Sequence, residues 1–266
     1  MVIPPPEGGK RLVQFDRFSL SVHLNDRPKS VLPLTAELQQ FIFEHSDMKA
    51  MKHCSKRNPC KRRFCPWCAR RVTASTRRSV QPLALTYNQA IAWTSTTESF
   101  GTFDDGWEAQ RTVVTQFLSN RWLTKRTSAW MRETEITHSA AGWHVHTHWL
   151  LFLESSRHAE VALLLIDVPN RWCDAARQKG VGASLRGQDV KVHSDVRGSV
   201  KYATKGIMTA SKRDGHQTLA EILAEYQKGD ADAADLWLEF AEFFAQKKRR
   251  NWRATGGAFR GQKEKR

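Results

Sequence analysis

The segment Gly142 to Glu154, GWHVHTHWLLFLE, decides the fold of this chain. Its histidines, His144, His146 and His148, stand two residues apart, and in an extended strand such side chains project from one face. The apolar run that follows predicts that the strand continues into the core. Because neutral imidazole is the commonest protein ligand for a divalent metal, we interpret the row as a candidate metal site. The alternative is a set of hydrogen-bonded or exposed histidines.

The flanking sequence predicts the partners of this strand. Ala129 to Thr137 reads as a strand that turns at HSAAG, so an antiparallel hairpin is expected to bring Glu135 beside the histidines. Small, β-branched and aromatic residues predict a further strand from Ala90 to Thr97, AIAWTSTT. The remaining predicted elements are a helix from about Gly106 to Lys125, a helix running towards Lys179 with a break at Pro169, a strand from Asp189 to His193, a helix that Asp195 starts, and helices up to about Arg250 interrupted at Gly229.

The charge of the chain indicates its kind of partner. Lys and Arg number 42 against 27 Asp and Glu, a formal net charge of +15 over 266 residues, which favours a polyanion such as nucleic acid. A membrane surface is disfavoured because no apolar stretch approaches the roughly 18 residues of a spanning helix. The first residues, MVIPPPEGGKR, lack the order of a signal peptide, so we expect a cytoplasmic protein. The basic end, KKRRNWRATGGAFRGQKEKR, is expected to be loose or ordered by nucleic acid.

A cysteine cluster lies in the segment MKHCSKRNPCKRRFCPWCARR. In a reducing compartment such clustering favours metal over disulfides, and four thiolates close a tetrahedral zinc site. The alternative is partly buried or redox-active thiols. The interleaved cations predict contacts with a nucleic-acid backbone rather than ordinary solvated surface. The candidate zinc ligands are Cys54, Cys60, Cys65 and Cys68, and the candidate DNA contacts are Arg57, Lys61, Arg62, Arg63, Arg70 and Arg71.

A metal site on a basic protein suggests phosphoester chemistry, in which either water or a side-chain hydroxyl attacks. Of the three tyrosines, Tyr202 has Lys201 beside it and Lys205 one helical turn later, and two cations would lower the pKa of the phenol and hold a phosphate. The competing interpretation of Tyr202 is an ordinary half-buried aromatic side chain of a helix.

Three segments in order, AWTSTT, GWHVHTHWLLF and VKYATKG, carry a family resemblance. Between Ala90 and Gly206 the chain resembles the rolling-circle replication initiators of bacterial plasmids, members of the histidine-hydrophobic-histidine endonuclease superfamily. The later RRNWRATGGAFRG looks like a tail segment of these proteins, and a stretch similar to CKRRFCPWCARR precedes the first motif in many of them.

The resemblance implies an α+β fold, with an antiparallel, ferredoxin-like or RNA-recognition-motif-like sheet of about five strands and helices on one face. It implies His146 and His148 as the metal pair, with Glu135 as our choice of third ligand and His144 as a ligand or neighbour; this set suits Mg²⁺ or Mn²⁺. The implied organisation is an N-terminal segment, 1–50; a Cys- and Arg-rich zinc and DNA-contacting segment, 51–80; the endonuclease domain, 86–210; and a helical C-terminal extension with a basic tail, 211–266.

The same resemblance implies that Tyr202 attacks a phosphodiester of single-stranded or hairpin origin DNA, assisted by Lys205 and Lys201. The products are a 5′-phosphotyrosine and a free 3′-hydroxyl that primes synthesis, which implies a host helicase and polymerase as partners. One departure concerns termination: some members carry a glutamate one turn before the tyrosine that activates water for the terminating hydrolysis, and this chain has Gly198 there. The candidates for that role here are Asp195, which is the nearest carboxylate, a residue from elsewhere, or the tyrosine of a second protomer.

Three other functions compete with this one. A relaxase or single-strand transposase shares the chemistry but serves a different task. A non-catalytic, zinc-stabilised nucleic-acid-binding protein would bind DNA without cleaving it. A metal-dependent nuclease using water would keep cleaving after Tyr202→Phe.

Overall fold

The computed structural model describes residues 54–55, 57–60, 65–153, 158–204, 215–246 and 252–260. The predicted N-terminal segment, 1–50, lies outside them. The described strands are β1 (Ala90–Thr96), β2 (Ala129–Ser139), β3 (Gly142–Phe152), β4 (Asp189–His193), β5 (Gln217–Thr218) and β6 (Arg253–Gly257). The described helices are α1 (Pro66–Ala84), α2 (Phe103–Ser119), α3 (Trp122–Arg126), α4 (His158–Gln178), α5 (Val196–Ala203), α6 (Leu219–Gln227) and α7 (Ala231–Gln246).

The strands form one antiparallel sheet in the order β4-β1-β3-β2-β5, with β6 also paired to β2. From β1 to β4 the chain runs strand, helix, strand, strand, helix, strand, apart from the short α3 before β2, which is the ferredoxin-like arrangement of a split β-α-β unit. The predicted α+β fold class is therefore confirmed, with six strands rather than about five. The two strands not located from the sequence are β5 and β6, and β6 lies in the basic end of the chain.

Helices α2 and α4 cover one face of the sheet. Trp93 of β1 and Trp149 of β3 face each other across the ladder and stack with ring centroids 5.2 Å apart. Phe117 of α2 and Trp172 of α4 close over the two rings, with centroids 5.2 and 5.6 Å from Trp93. Farther along this face, α6 and α7 pack a second aromatic cluster against the start of β3. Large rings that alternate with polar residues along each strand thus explain why the helices gather here.

The opposite face is only partly covered. Its apolar end, which includes Leu150 and Phe152, packs against α1 and α5, while its other end carries the histidine row. The expected placement of helices on one face therefore holds for α2 and α4 but not for α1 and α5. The reason is that the apolar run at the end of β3 presents large side chains on both faces, and both need a cover.

Two local expectations are wrong. Helix α4 continues through Pro169 instead of breaking there, and the buried Val168 and Trp172 on either side of the proline hold it against the sheet. The basic end of the chain is not loose throughout, because residues 253–257 form β6. Arg253 anchors β6 through a buried ion pair with Glu133 of β2.

Candidate metal and nucleophile site

The hairpin of β2 and β3 builds the centre of the site. The sequence predicts that Glu135 lies beside the histidine row, and the register places it directly opposite His146. Strand β1 pairs with the other edge of β3 and sets Thr94 opposite His148. Directly opposed residues of an antiparallel ladder point to the same face, so these four side chains converge above the sheet.

Glu135, His146 and His148 form a compact group. One carboxylate oxygen, Oε2 of Glu135, lies 2.9 Å from Nε2 of His146 and is also hydrogen-bonded to Nε2 of His148. Burial alone would raise the pKa of Glu135. Its hydrogen bonds to both imidazoles and their charges outweigh this, and they hold the pKa of Glu135 well below its usual range. The carboxylate is therefore ionised at neutral pH.

This donor set fits a divalent cation. The ligand atoms of the three residues lie within 4.8 Å of one another. An octahedral cation with bonds of about 2.1 Å places adjacent ligand atoms about 3.0 Å apart, close to the 2.9 Å between Glu135 and His146. Two imidazoles and one carboxylate leave the remaining positions open to substrate oxygens.

His144 stands apart from this group. Its ring lies 5.2 Å from that of His146, centroid to centroid, and its Nδ1 is 3.4 Å from Oγ of Ser99. It lines the cavity above the triad but is not part of the convergent ligand group. Of the four candidate ligands that the sequence offers, three therefore converge.

Thr94 orients the ring of His148 through the nitrogen that faces away from Glu135. Its hydroxyl lies 3.0 Å from Nδ1 of His148. Without a metal, Nε2 of His148 donates to the carboxylate of Glu135. If a metal takes the place of that proton, a proton on Nδ1 that is donated to Thr94 leaves the lone pair of Nε2 free to bind the metal. A hydrogen bond to the distal ring nitrogen is the usual way in which proteins fix a metal-binding histidine. Sequence reasoning assigned Thr94 only to a strand and missed this contact.

Helix α5 carries Tyr202 to the same face. Asp195 is the N-cap of the helix and accepts a hydrogen bond from the backbone of Gly198 at 2.8 Å. Val196 and Val200 pack on the apolar end of the sheet. This turns Tyr202, which is 46% exposed, towards the histidines, and its ring meets the ring of His148 edge-on at 5.4 Å. The Tyr202 helix therefore lies on the same face of the sheet as the histidine row.

A cavity of about 400 Å³ joins the triad to the tyrosine. Sequence reasoning named only some of the residues around it. The 3₁₀ turn Leu185–Gly187 and the start of β4 supply Arg186 and Asp189, and His216 enters from the residue before β5. The lining consists of Thr94, Thr96, Glu135, Thr137, His144, His146, Arg186, Gly187, Asp189, Tyr202 and His216.

Of the predicted catalytic residues that the structure describes, Lys201 and Asp195 are not in this lining. Lys201 is exposed on α5, and its backbone carbonyl accepts a hydrogen bond from Arg77. Lys205 lies outside the described residues. Asp195 is occupied as the N-cap of α5, so Glu135 and Asp189 are the carboxylates that border the cavity among the described residues.

The four clustered cysteines converge as a second ligand group. Sγ of Cys68 lies 3.6 Å from Sγ of both Cys54 and Cys60, and the backbone N–H of Cys60 donates to Sγ of Cys54. A zinc tetrahedron with Zn–S bonds of about 2.3 Å places its sulfur atoms about 3.8 Å apart, which matches this spacing. Without a metal, the hydrogen bond to Cys60 and burial raise the pKa of Cys65 far above its usual range.

Three of the six predicted DNA-contacting cations lie among the residues that the structure describes. Arg57 is exposed beside the cysteines, and Arg70 and Arg71 are exposed on α1. Lys61, Arg62 and Arg63 lie outside the described residues.

Comparison with known protein families, with curated proteins and with solved structures finds no match to this chain. Within the part of the chain that the structure describes, no helix has both the length and the apolar character needed to cross a bilayer.

Proposed function

We propose that this protein is a metal-dependent DNA-nicking and joining endonuclease that uses Tyr202 as its nucleophile, in the manner of a plasmid rolling-circle replication initiator. The observation that carries the proposal is the edge-on contact between Tyr202 and His148 at 5.4 Å, at the border of the group of Glu135, His146 and His148. Burial of the packing face of α5 explains the approach of the tyrosine. The half-exposed phenol is accessible from solvent, as a nucleophile for a macromolecular substrate must be.

Single-stranded or hairpin origin DNA is the proposed substrate. The net charge of +15 favours a polyanion, and the exposed Arg70 and Arg71 on α1 supply phosphate contacts. The cavity is open and of a size that admits a nucleotide and its phosphodiester. Arg186 is the arginine of the described cavity lining, and we assign its forked guanidinium to the phosphate.

In the proposed reaction, the phenol oxygen of Tyr202 attacks the scissile phosphorus. The bond from phosphorus to the 3′ oxygen breaks, the phenol proton passes to solvent, and the 3′ oxygen takes up a proton. Glu135, His146 and His148 would hold Mg²⁺ or Mn²⁺, which supplies polarisation of the phosphate and offsets its developing negative charge. Arg186 holds the phosphate in line with the phenol, and Lys201 and Lys205 remain candidates for electrostatic assistance.

Release of the phosphotyrosine by water requires a base, and we assign this role to Asp189. Asp189 borders the cavity at the start of β4, whereas Asp195 is engaged as a helix cap. Lys191 donates to the carboxylate of Asp189 at 2.9 Å, and this contact orients the carboxylate at the start of β4. Asp189 would take a proton from the attacking water while the phenolate of Tyr202 leaves.

The test uses a pool of labelled single-stranded oligonucleotides of randomised sequence, incubated with the protein and Mn²⁺ and separated on a denaturing gel. A covalent protein-DNA adduct is expected, and sequencing of its DNA identifies the cleaved site. The adduct should disappear in Tyr202→Phe and with a chelator, and persist in Tyr87→Phe, which removes a hydroxyl from a ring that packs on Phe152.

Each rival function has its own outcome. An adduct that survives Tyr202→Phe overturns the assignment of the nucleophile. Cleavage without any adduct indicates a nuclease that uses water, and binding without cleavage indicates a zinc-stabilised nucleic-acid-binding protein. A relaxase or single-strand transposase would give the same adduct, and the identity of the captured DNA separates these from a replication initiator.

A further inference from the structure

Helix α1 connects the cysteine cluster to the helix that carries the nucleophile. Cys65 is its N-cap and Cys68 lies in its first turn, so two of the four clustered thiols belong to its N-terminal end. The helix is 19 residues long, about 28 Å at 1.5 Å per residue. Its later turns bury Val80 and Ala84 against α5. One continuous helix therefore runs from the thiols to the Tyr202 helix.

Arg77 makes the polar contact between the two helices. Its Nε donates to Oγ1 of Thr204 at 3.2 Å, and its Nη2 donates to the carbonyl oxygen of Lys201 at 3.4 Å. Thr204 is the C-cap of α5 and its own hydroxyl donates to the carbonyl of Val200 at 2.7 Å. The two acceptors bracket Tyr202 in the sequence, so the guanidinium holds the turn of backbone from which the phenol projects.

Helix α5 needs this support. It has eight residues, too few for a helix to be stable without tertiary contacts. Tyr202 is itself about half exposed, and its position therefore follows the backbone of α5. Helix α1 is in turn fixed to the sheet, since Arg253 donates to the carbonyl of Val72 at 3.3 Å and to the hydroxyl of Thr76.

We propose that Arg77 is a positioning residue that aligns Tyr202 with the triad, and that the cysteine cluster contributes to this alignment by anchoring the N-terminal end of the same helix. The role as stated rests on the proposed function of Tyr202. The cysteine cluster then acts on the reaction through α1, and not only through contacts with DNA. Along the helix axis, Cys68 lies about 13 Å before Arg77. A loss of the Arg77 contacts leaves the metal ligands untouched and shifts the phenol.

The test compares Arg77→Met and Arg77→Lys with Arg111→Met, which removes an exposed guanidinium from α2 on the other face of the sheet. Arg77→Lys keeps the charge but not the forked donor. We expect both Arg77 variants to form the adduct about 10- to 100-fold more slowly at saturating oligonucleotide, because small misplacements of a nucleophile have costs of this size. Their affinities for DNA and Mn²⁺ should stay within about twofold of the wild type, and Arg111→Met should leave the rate unchanged.

A second readout does not depend on catalysis. With only three tyrosines in the chain, 3-fluorotyrosine labelling gives few ¹⁹F resonances, and Tyr202→Phe identifies the one that belongs to Tyr202. The Arg77 variants should shift or broaden that resonance. If the wild type forms no adduct, the proposed function fails while the ¹⁹F result still decides whether Arg77 positions Tyr202. An unchanged resonance, an unchanged saturated rate, or an effect confined to DNA affinity overturns the inference.

Discussion

Replacement of Thr94 by valine tests the geometry of the metal site with little change of volume. The substitution removes the hydroxyl 3.0 Å from Nδ1 of His148 and leaves the β-branched shape that suits strand β1. Nδ1 of His148 then loses its partner, and the ring is free to rotate away from Glu135. The arrangement in which both imidazoles approach the same carboxylate oxygen is therefore weakened.

The expected loss of metal affinity follows from the position of Thr94. Loss of such an orienting contact lowers metal affinity about 10- to 100-fold, or about 1.4 to 2.7 kcal/mol. Thr94 lines the open cavity and is only partly buried, so water has access to the vacated position and will replace part of the contact. We therefore expect the lower end of this range, a decrease of about tenfold.

Isothermal titration with Mn²⁺ measures the effect on protein that carries one equivalent of zinc for the cysteine cluster and from which excess zinc has been removed. The matched control is Thr96→Val, on the same face of the same strand. Thr96 also lines the cavity, but its hydroxyl donates to the carbonyl of Gly187 at 2.9 Å rather than to a histidine. Equal losses in the two variants, or no loss in Thr94→Val, would refute the orienting role of Thr94.

Three further predictions concern other parts of the molecule. Arg253→Met removes the ion pair of Arg253 with the buried Glu133 and should cost about 3–5 kcal/mol of unfolding free energy in thermal or urea melts, with partial recovery in the double variant with Glu133→Leu. An effect below about 1 kcal/mol would mean that the pair behaves like a surface salt bridge. Asp189→Asn should leave adduct formation intact and slow hydrolysis of the adduct about 10²-fold or more in a pulse-chase gel. Asp195→Asn should leave the rate of hydrolysis unchanged. If Asp195→Asn slows hydrolysis and Asp189→Asn does not, Asp195 is the base. Cys68→Ser should lower the zinc content of purified protein by about one equivalent, measured by elemental analysis, and a zinc content equal to wild type would contradict a four-thiolate site.

The centre of the site was predictable because it is local in sequence. The alternation of His144, His146 and His148 follows from the two-residue period of a strand, and the short turn of the hairpin sets the register that places Glu135 opposite His146. The cysteine cluster was predictable for a similar reason, since its four residues lie within one short segment.

The remainder of the site depends on side chains that are distant in sequence. Arg186 and Asp189 reach the cavity because β4 pairs with β1, and nothing in their own neighbourhood marks them as site residues. The contact of Arg77 with Thr204 likewise arises only when α1 and α5 pack on the same end of the sheet. Such contacts follow from the burial of apolar faces, and a single sequence does not state which faces meet.

The sequence alone therefore determined the strand that carries the histidines, the carboxylate across from it and the clustered thiols, because strand period and turn length act over a few residues. Only the tertiary structure decided that His144 stands outside the ligand group, that residues 253–257 join the sheet, and that the Tyr202 helix lies on the histidine face. These outcomes come from packing between distant segments, where the apolar end of β3 needs cover on both faces and α5 supplies part of it.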